Sequence, residues 1–311
     1  MKLPAAILLA TLAAAAPAAA ERFEFHRPLM GTRFTILCDT DDGKRAAAAA
    51  EAAFAEAEAI NQVASDYIAD SELLSLSTAP VGEPVAVSGR LFPILEAARG
   101  IAEQTGGAYD PTLGPLTKLW RATRRSGRLP DAATLATARE SCGWRHFTLD
   151  PGRRTITLAK PGMRFDLGGI AKGYAADRML GVMAKHGISR TCIVAGGDVR
   201  AGEPPAGRAA WTVGIRTFDE AKPEEARPLV RGAISTSGDL HQSVEIGGRR
   251  YSHILDPATG LGMTERVAVS VTAPSATLSD ALATAACVAG PDRAEAVARK
   301  AGATEVRVRT P

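Results

Sequence analysis

Asp280 and Thr284 stand four residues apart in the segment L-S-D-A-L-A-T-A-A-C-V-A-G, within a predicted helix at about 278–289. Residues at this spacing share one helix face. Both side chains carry oxygen, the ligand atom that Mg²⁺ prefers. A local role is the alternative, with Thr284 bonded to its own helix and Asp280 placed in the first turn to interact with the helix dipole. The pattern therefore indicates either a metal site or two local polar contacts.

A second candidate site is the stretch D-L-G-G-I-A-K-G-Y-A-A-D at 166–177. It fits neither the phosphate-binding pattern G-x-x-x-x-G-K-[ST] nor the dinucleotide pattern G-x-G-x-x-G. Gly168 and Gly169 would allow a ligand to approach the backbone closely, and the helix that follows would present free N–H groups. Lys172 adds a positive charge, and Asp166 can accept hydrogen bonds or bind a metal. The stretch predicts a site for a phosphorylated ligand or, alternatively, a plain Gly-Gly turn.

His253 lies in Y-S-H-I-L-D-P-A-T-G at 251–260, and a similar turn, Y-D-P-T-L-G-P, occurs at 109–115. No histidine of the chain has a partner at metal-ligand spacing, so a histidine-rich metal site is not indicated. His253 is either a proton acceptor or a structural hydrogen bonder.

The small-residue loops at 195–202 and 233–239 could surround phosphate oxygens with N–H groups. Ser235 and Ser237 lack the G-x-S-x-G setting of a serine nucleophile.

The elements that would position these residues mix helices and strands without a regular βαβ repeat. Strands are predicted around a turn at 30–32, in a hairpin at 147–158 and at the C-terminus. Helices are predicted at 44–64, at 91–105, from Asp131, after the Gly-Gly turn and at about 278–289. The Pro- and Glu-rich stretch at 217–228 is predicted as an exposed loop. Neighbouring hairpins favour antiparallel pairing, and the predicted class is α+β in a single domain over 21–311.

Residues 1–20 read M-K-L-P-A-A-I-L-L-A-T-L-A-A-A-A-P-A-A-A, with one lysine, a short apolar run and an A-x-A end. This pattern predicts a cleaved signal peptide and an exported, periplasmic protein without a transmembrane span in the mature chain.

The chain has 37 Lys and Arg against 34 Asp and Glu, a balance that gives no support for nucleic-acid binding. The four cysteines form no C-x-x-C pair, and their spacing assigns no disulfide.

Taken together and in order, these motifs resemble the FAD:protein FMN transferase (ApbE) family. The similarity extends over nearly the whole predicted mature chain. One departure is Leu240, which follows S-T-S-G-D where the family usually has an aromatic residue. The resemblance rests on M-G-T at 30–32, S-D-Y at 65–67 with D-S-E at 70–72, G-G-A-Y-D-P-T-L-G-P-L at 106–116, the stretch at 166–177, A-G-G-D at 195–198, S-T-S-G-D at 235–239, S-H-I-L-D-P-A-T-G at 252–260 and S-D-A-L-A-T at 279–284.

The resemblance implies an α+β fold and an enzyme that moves FMN from FAD onto a threonine hydroxyl of an exported acceptor protein, with release of AMP. It implies Mg²⁺ as cofactor and acceptors such as subunits of Nqr- and Rnf-type respiratory complexes. By motif position, the catalytic residues would be His253, as the proton acceptor, and Asp280. The metal ligands would be the side chains of Asp280 and Thr284 with backbone oxygens of Gly169 and Ala283. The implied FAD contacts are Met30, Tyr67, Ala108, Tyr109, Asp110, Asp166, Lys172 and Leu255.

Two other functions use the same residues differently. A FAD pyrophosphatase would use the same metal site with water as the nucleophile. A non-catalytic periplasmic FAD carrier would need the FAD contacts but not Asp280, Thr284 or His253, and their presence favours an enzyme.

Overall fold

The computed structural model describes residues 20–215, 218, 225–238 and 243–311. The strands are β1 (Glu21–Leu29), β2 (Thr32–Thr40), β3 (Val85–Ala86), β4 (Phe147–Asp150), β5 (Thr155–Leu158), β6 (Thr191–Ala195), β7 (Asp198–Ala201), β8 (Trp211–Ile215), β9 (Glu225–Leu229), β10 (Ala233–Gly238), β11 (Ser243–Ile246), β12 (Arg249–Ser252), β13 (Ala268–Ala273) and β14 (Glu305–Arg309). The α-helices are α1 (Gly43–Ala64), α2 (Glu72–Ser75), α3 (Phe92–Gln104), α4 (Gly114–Ser126), α5 (Ala132–Glu140), α6 (Ala171–Lys185), α7 (Ala276–Ala289) and α8 (Pro291–Lys300).

A seven-stranded sheet in the order β1-β2-β6-β7-β10-β13-β14 forms the centre of the molecule. Within the described ranges, all pairings between named strands are antiparallel. The predicted α+β class with largely antiparallel sheets is therefore confirmed. Consecutive residues of β6 enter different apolar clusters: Cys192 belongs to a second cluster and Ile193 to the main core. This alternation shows that both faces of the sheet are covered.

Helices α1, α6 and α7 cover one face of the sheet, and their small residues allow close packing. The buried side of α1 is mostly alanine. A Cβ atom added to Gly173 of α6 would lie 2.1 Å from the carbonyl oxygen of Ala276 in α7. Only glycine fits at this crossing, so the two helices that bear Lys172 and Asp280 lie in direct backbone contact.

The opposite face of the sheet is covered by the hairpin β8–β9, whose Trp211, Val213 and Ile215 pack against it. A third, smaller apolar cluster joins α4 to the hairpin β11–β12 through Trp120 and Tyr251, whose rings meet edge to face at 5.7 Å. The molecule thus places the start of α6, the face of α7 and the end of β12 around one end of the central sheet.

Most predicted elements are confirmed. Helices α1 and α3 and the hairpin β4–β5 match their predicted ranges within a residue or two, and α5 begins after Asp131, whose carboxylate accepts from the N–H of Thr134. The predicted loop at 217–228 is wrong in part, because its last four residues belong to β9 and pair with β8. Helices α4 and α8, which both have a proline in the first turn, were not predicted.

Several predictions fall on residues outside the described ranges. Residues 1–19, which hold nearly all of the predicted signal peptide, lie there, as does Leu240. Cleavage and export therefore stay predictions. In the described part of the chain, no helix is both long and apolar enough to span a bilayer. None of the four cysteines forms a disulfide.

Candidate functional site

A cavity of about 960 Å³ opens where the strand ends of the central sheet meet the first turn of α6 and the face of α7. The turn between β6 and β7, the end of β10 and the start of β2 form its sheet side. Eleven of the thirteen predicted site residues line it: Tyr67, Ala108, Tyr109, Asp110, Asp166, Gly169, Lys172, His253, Leu255, Asp280 and Thr284.

Met30 and Ala283 are the two predicted residues that do not line the cavity. Met30 lies in the turn between β1 and β2 with φ of 49°, and Thr32, two residues later, does line the cavity. Ala283 is fully buried in α7, one residue before Thr284. The structure therefore places both next to the site, with their side chains outside it.

The charged centre of the cavity is Lys172, which bridges two buried carboxylates. Its Nζ lies 3.1 Å from Oδ2 of Asp198 and 3.4 Å from both carboxylate oxygens of Asp280. The carbonyl of Gly168 accepts a further hydrogen bond from the same ammonium at 3.4 Å. The backbone N–H of Gly173 donates to Oδ2 of Asp280 at 3.1 Å. Two acids share one lysine, so this cluster has a formal charge of −1.

Burial and mutual proximity change the acidity of this cluster. The pKa of Asp280 is raised from 3.8 to about 7, first by burial and then by the negative charge of Asp198, against the lowering effect of Lys172. Burial alone would lower the pKa of Lys172, but Asp198 and Asp280 together raise it above its usual value. The lysine is therefore charged at neutral pH, and once Asp280 is ionised the two carboxylates carry more negative charge than the lysine neutralises.

Thr284 lies one helical turn after Asp280 on the cavity side of α7. Its Oγ1 is 3.2 Å from Oγ of Ser237 at the end of β10. A Cβ atom added to Gly169 would lie 3.1 Å from Oγ1 of Thr284, so this turn of backbone passes directly beside the hydroxyl. The structure thus brings a carboxylate, two hydroxyls and the backbone of Gly169 together in one region.

This set of oxygen atoms suits a hard divalent cation such as Mg²⁺. Among the described residues, no group of three or more His, Cys, Asp or Glu side chains is arranged around a metal position. A cation here would therefore depend on one carboxylate together with hydroxyl and carbonyl oxygens. The net negative charge of the Lys172 cluster favours it.

Asp166 and Asp110 line the cavity while making hydrogen bonds that stabilise its walls. Oδ1 of Asp166 accepts from the N–H of Gly168 at 2.8 Å, which fixes the turn before α6. Asp110 accepts from Thr112 with one oxygen and from the backbone N–H of Trp144 at 3.0 Å with the other. Both carboxylates therefore hold backbone in place at the cavity wall.

The two tyrosines of the site differ in exposure. Tyr109 is 3% exposed, and its hydroxyl has no hydrogen-bond partner within the described chain. Burial raises its pKa well above the usual value, so the hydroxyl stays protonated and can donate to a bound ligand. Tyr67 is 75% exposed, and the guanidinium of Arg121 lies 3.9 Å from its ring centroid. A flat ligand ring could stack on Tyr67 at the cavity mouth.

His253 lines the cavity at the start of the turn that follows β12. The carbonyl of its neighbour Ser252 accepts a hydrogen bond from Nε1 of Trp120 at 3.1 Å, and the N–H of Ser252 donates to the carbonyl of Met263 at 2.7 Å. Leu255, 5% exposed, lies farther along the same turn. The backbone beside His253 is thus fixed from two sides, which orients the imidazole toward the cavity.

Two charged cavity residues that contact predicted site residues, Asp198 and Arg121, were not themselves predicted as part of the site. Asp198 is the last residue of the A-G-G-D motif at 195–198. Its position directly after the glycine turn that ends a predicted strand was the signal that could have marked it as a site residue. Arg121 gave no signal in the sequence, because its partner Asp66, at 2.6 Å, lies 55 residues away along the chain.

Comparison with known proteins agrees with this fold. The ApbE family model matches residues 30–308. The FAD:protein FMN transferase of Treponema pallidum is 35% identical over 247 residues, covering 74% of this chain and 68% of the relative. That of Klebsiella pneumoniae is 31% identical over 280 residues, covering 88% and 80%. The solved structure of the flavin transferase ApbE from Vibrio cholerae has a TM-score of 0.81 at 30% identity, covering 93% of each chain. The chain therefore belongs to the ApbE family of flavin transferases.

Proposed function

We propose that this flavin transferase moves FMN from FAD onto a threonine hydroxyl of an acceptor protein, in a Mg²⁺-dependent reaction that releases AMP. One observation carries the proposal: a single cavity joins the Lys172 cluster, the oxygen atoms around Thr284, the Tyr67 ring and His253. A pyrophosphate needs positive charge, a flavin needs an aromatic surface, and a hydroxyl nucleophile needs a base.

Mg²⁺ would be held by the carboxylate of Asp280 and the hydroxyl of Thr284, with backbone oxygens of Gly169 and Ala283 completing the protein ligands. When bound, the ion supplies electrostatic stabilisation of the charge that develops on the transferred phosphate. The close approach of Gly169 to Thr284 and the negative charge of the Lys172 cluster support this assignment.

The protein's own groups account for the rest of the reaction. The charged Lys172 binds the pyrophosphate oxygens, and the protonated hydroxyl of Tyr109 donates a hydrogen bond to the ligand. His253 accepts the proton from the acceptor threonine as its oxygen bonds to the phosphorus of the FMN half. The bond from that phosphorus to the bridging oxygen breaks, and AMP leaves with the electron pair. Atoms and charge balance without a further reactant.

We propose export to the periplasm as the setting, with acceptors among the subunits of Nqr- or Rnf-type respiratory complexes. Support comes from the signal-peptide pattern of residues 1–20 and from the family resemblance of the motifs.

The test is incubation of the purified protein with FAD, MgCl₂ and a threonine-containing acceptor, followed by intact-mass measurement. An FMN adduct on the acceptor supports the proposal. Free FMN with AMP shows a pyrophosphatase, and unchanged FAD shows a carrier; either result without adduct contradicts the proposal. Thr284→Val keeps the side-chain shape and removes Oγ1, so we expect it to lower adduct formation at limiting Mg²⁺ and to recover partly at high Mg²⁺.

A further inference from the structure

Helix α4 has a strongly basic surface at the mouth of the cavity. Its sequence G-P-L-T-K-L-W-R-A-T-R-R-S contains no acidic residue, and Arg128 follows directly after the left-handed Gly127 that ends the helix. Arg124, Arg125 and Arg128 are all exposed. We call these three residues the α4 basic surface.

The helix connects this surface to the inside of the cavity. Thr117, Arg121 and Arg124 line the cavity at positions i, i+4 and i+7 of α4, and so share one face. Arg124 is the last of them, and Arg125 and Arg128 continue past the cavity mouth without lining it. A chain that leaves the cavity along α4 therefore passes over the α4 basic surface.

The charges of the α4 basic surface are available to a partner. Arg121 is occupied: it pairs with Asp66 at 2.6 Å and lies 3.7 Å from Asp166. Within the described part of the chain, Arg124 and Arg125 form no ion pair, and neither does Arg128. The positive charges of Arg124 and Arg125 lie in the last turn of α4 and interact favourably with the helix dipole. That interaction falls off within the last turn and does not explain Arg128, which lies outside the helix.

The same helix also contacts the segment that bears the proposed base. Trp120 of α4 donates from its indole N–H to the carbonyl of Ser252, the residue before His253. A threonine that reaches His253 thus lies beside α4, and the polypeptide on either side of that threonine must cross the cavity mouth.

We propose that the α4 basic surface docks the acceptor polypeptide by binding an acidic segment next to its target threonine. The inference rests on the proposed transfer to a protein threonine and adds the chemistry of the partner. Charge complementarity selects the occupant. Three exposed arginines that form no ion pair within the described chain, at the exit of a site that must admit a protein chain, match a run of Asp or Glu.

The experiment measures binding of a fluorescein-labelled peptide with one threonine preceded by four aspartates, by fluorescence anisotropy. A peptide with lysines in place of the aspartates is the charge control. We expect the acidic peptide to bind the wild type and the lysine peptide not to bind. Arg125→Glu/Arg128→Glu should weaken binding roughly tenfold at low salt, and the difference should shrink as salt rises, since these charges are exposed. FAD affinity, from flavin fluorescence, should stay unchanged because neither residue lines the cavity.

The matched control is Lys185→Glu/Lys300→Glu, which makes the same charge change in the last turns of α6 and α8, away from the cavity. It should bind the acidic peptide within about twofold of wild type. Equal peptide binding by both double variants, or by wild type and Arg125→Glu/Arg128→Glu, overturns the proposal. So does binding of phosphatidylserine vesicles through the same arginines without peptide binding.

Because peptide binding is measured without catalysis, the two proposals fail separately. A protein that binds the acidic peptide through Arg125 and Arg128 but forms no FMN adduct contradicts the proposed function and supports the docking surface. A protein that forms adduct on acidic and basic peptides at equal rates contradicts the docking surface alone.

Discussion

Replacing Asp280 by Asn should make the metal-free protein more stable at pH 8, although it removes an ion pair with Lys172. Asp280 is 3% exposed, and its folded-state pKa is raised from 3.8 to about 7 by burial and then by Asp198. The folded carboxyl therefore binds its proton more tightly than the unfolded one. Its contribution to stability is complete below about pH 4 and is lost as pH rises towards 7. Three pKa units at 1.36 kcal/mol each put this loss on the order of 4 kcal/mol.

The assay is urea denaturation in EDTA at pH 5, 6, 7 and 8 for wild type and Asp280→Asn. The free energy of unfolding of the wild type should fall relative to the variant across this range, and the variant should be the more stable of the two at pH 8. Adding Mg²⁺ at pH 8 should then stabilise the wild type by mass action and leave Asp280→Asn unchanged. Parallel stability curves from pH 5 to 8 would refute the reasoning about this carboxylate.

Asp39→Asn is the control with the opposite sign. Burial by itself would raise the pKa of Asp39, but hydrogen bonds from Arg22 at 2.8 Å and from the N–H of Ala206 at 2.8 Å lower it. Its stabilising contribution is therefore present above about pH 4 and is lost as pH falls through the folded pKa. Asp39→Asn should be less stable than wild type at every pH from 5 to 8, with a difference that does not change sign.

Three further changes test other parts of the site. Gly173→Ala should destabilise the protein by about 1–3 kcal/mol in urea titration, because the new methyl group meets the carbonyl of Ala276 at 2.1 Å; a loss below the error of the titration would contradict this. Trp120→Phe removes the hydrogen bond to Ser252, and we expect single-turnover FMN transfer to slow while FAD affinity is kept. His253→Ala should slow transfer by roughly 10²–10⁴-fold at saturating FAD; near-normal single-turnover rates would end its assignment as the base.

Local patterns in the sequence were sufficient to place much of the site. The i, i+4 spacing of Asp280 and Thr284 predicts their common helix face, and both line the cavity. The Gly-Gly turn before α6 places Lys172 at the cavity. These predictions succeed because helix periodicity and turn chemistry depend on neighbouring residues.

Other features depended on contacts between distant segments. Arg121 and Asp66 are 55 residues apart, and Trp120 and Ser252 are 132 residues apart. No local pattern encodes such pairs. The start of α8 was missed for a different reason: Gly290-Pro291 ends α7, and Pro291 also begins the next helix, where its missing N–H costs nothing.

The ion pairs of Arg121 and Lys172, the two cavity cations discussed above, differ in length and in the number of acids they contact. The Arg121–Asp66 pair is 2.6 Å long, within the range of a strong charge-assisted hydrogen bond, so this arginine is committed to the wall of the cavity. Lys172 lies 3.1–3.4 Å from Asp198 and Asp280, longer than the 2.7–2.9 Å typical of such bonds. Its charge is shared between two acids. A lysine held in this way stabilises a buried pair of carboxylates in the absence of a ligand. In the proposed reaction it would turn toward the pyrophosphate of FAD once a divalent cation compensates the charge of Asp280. The same cluster therefore accounts for a fold that tolerates two buried acids, and it is compatible with the proposed binding of a polyanion beside them.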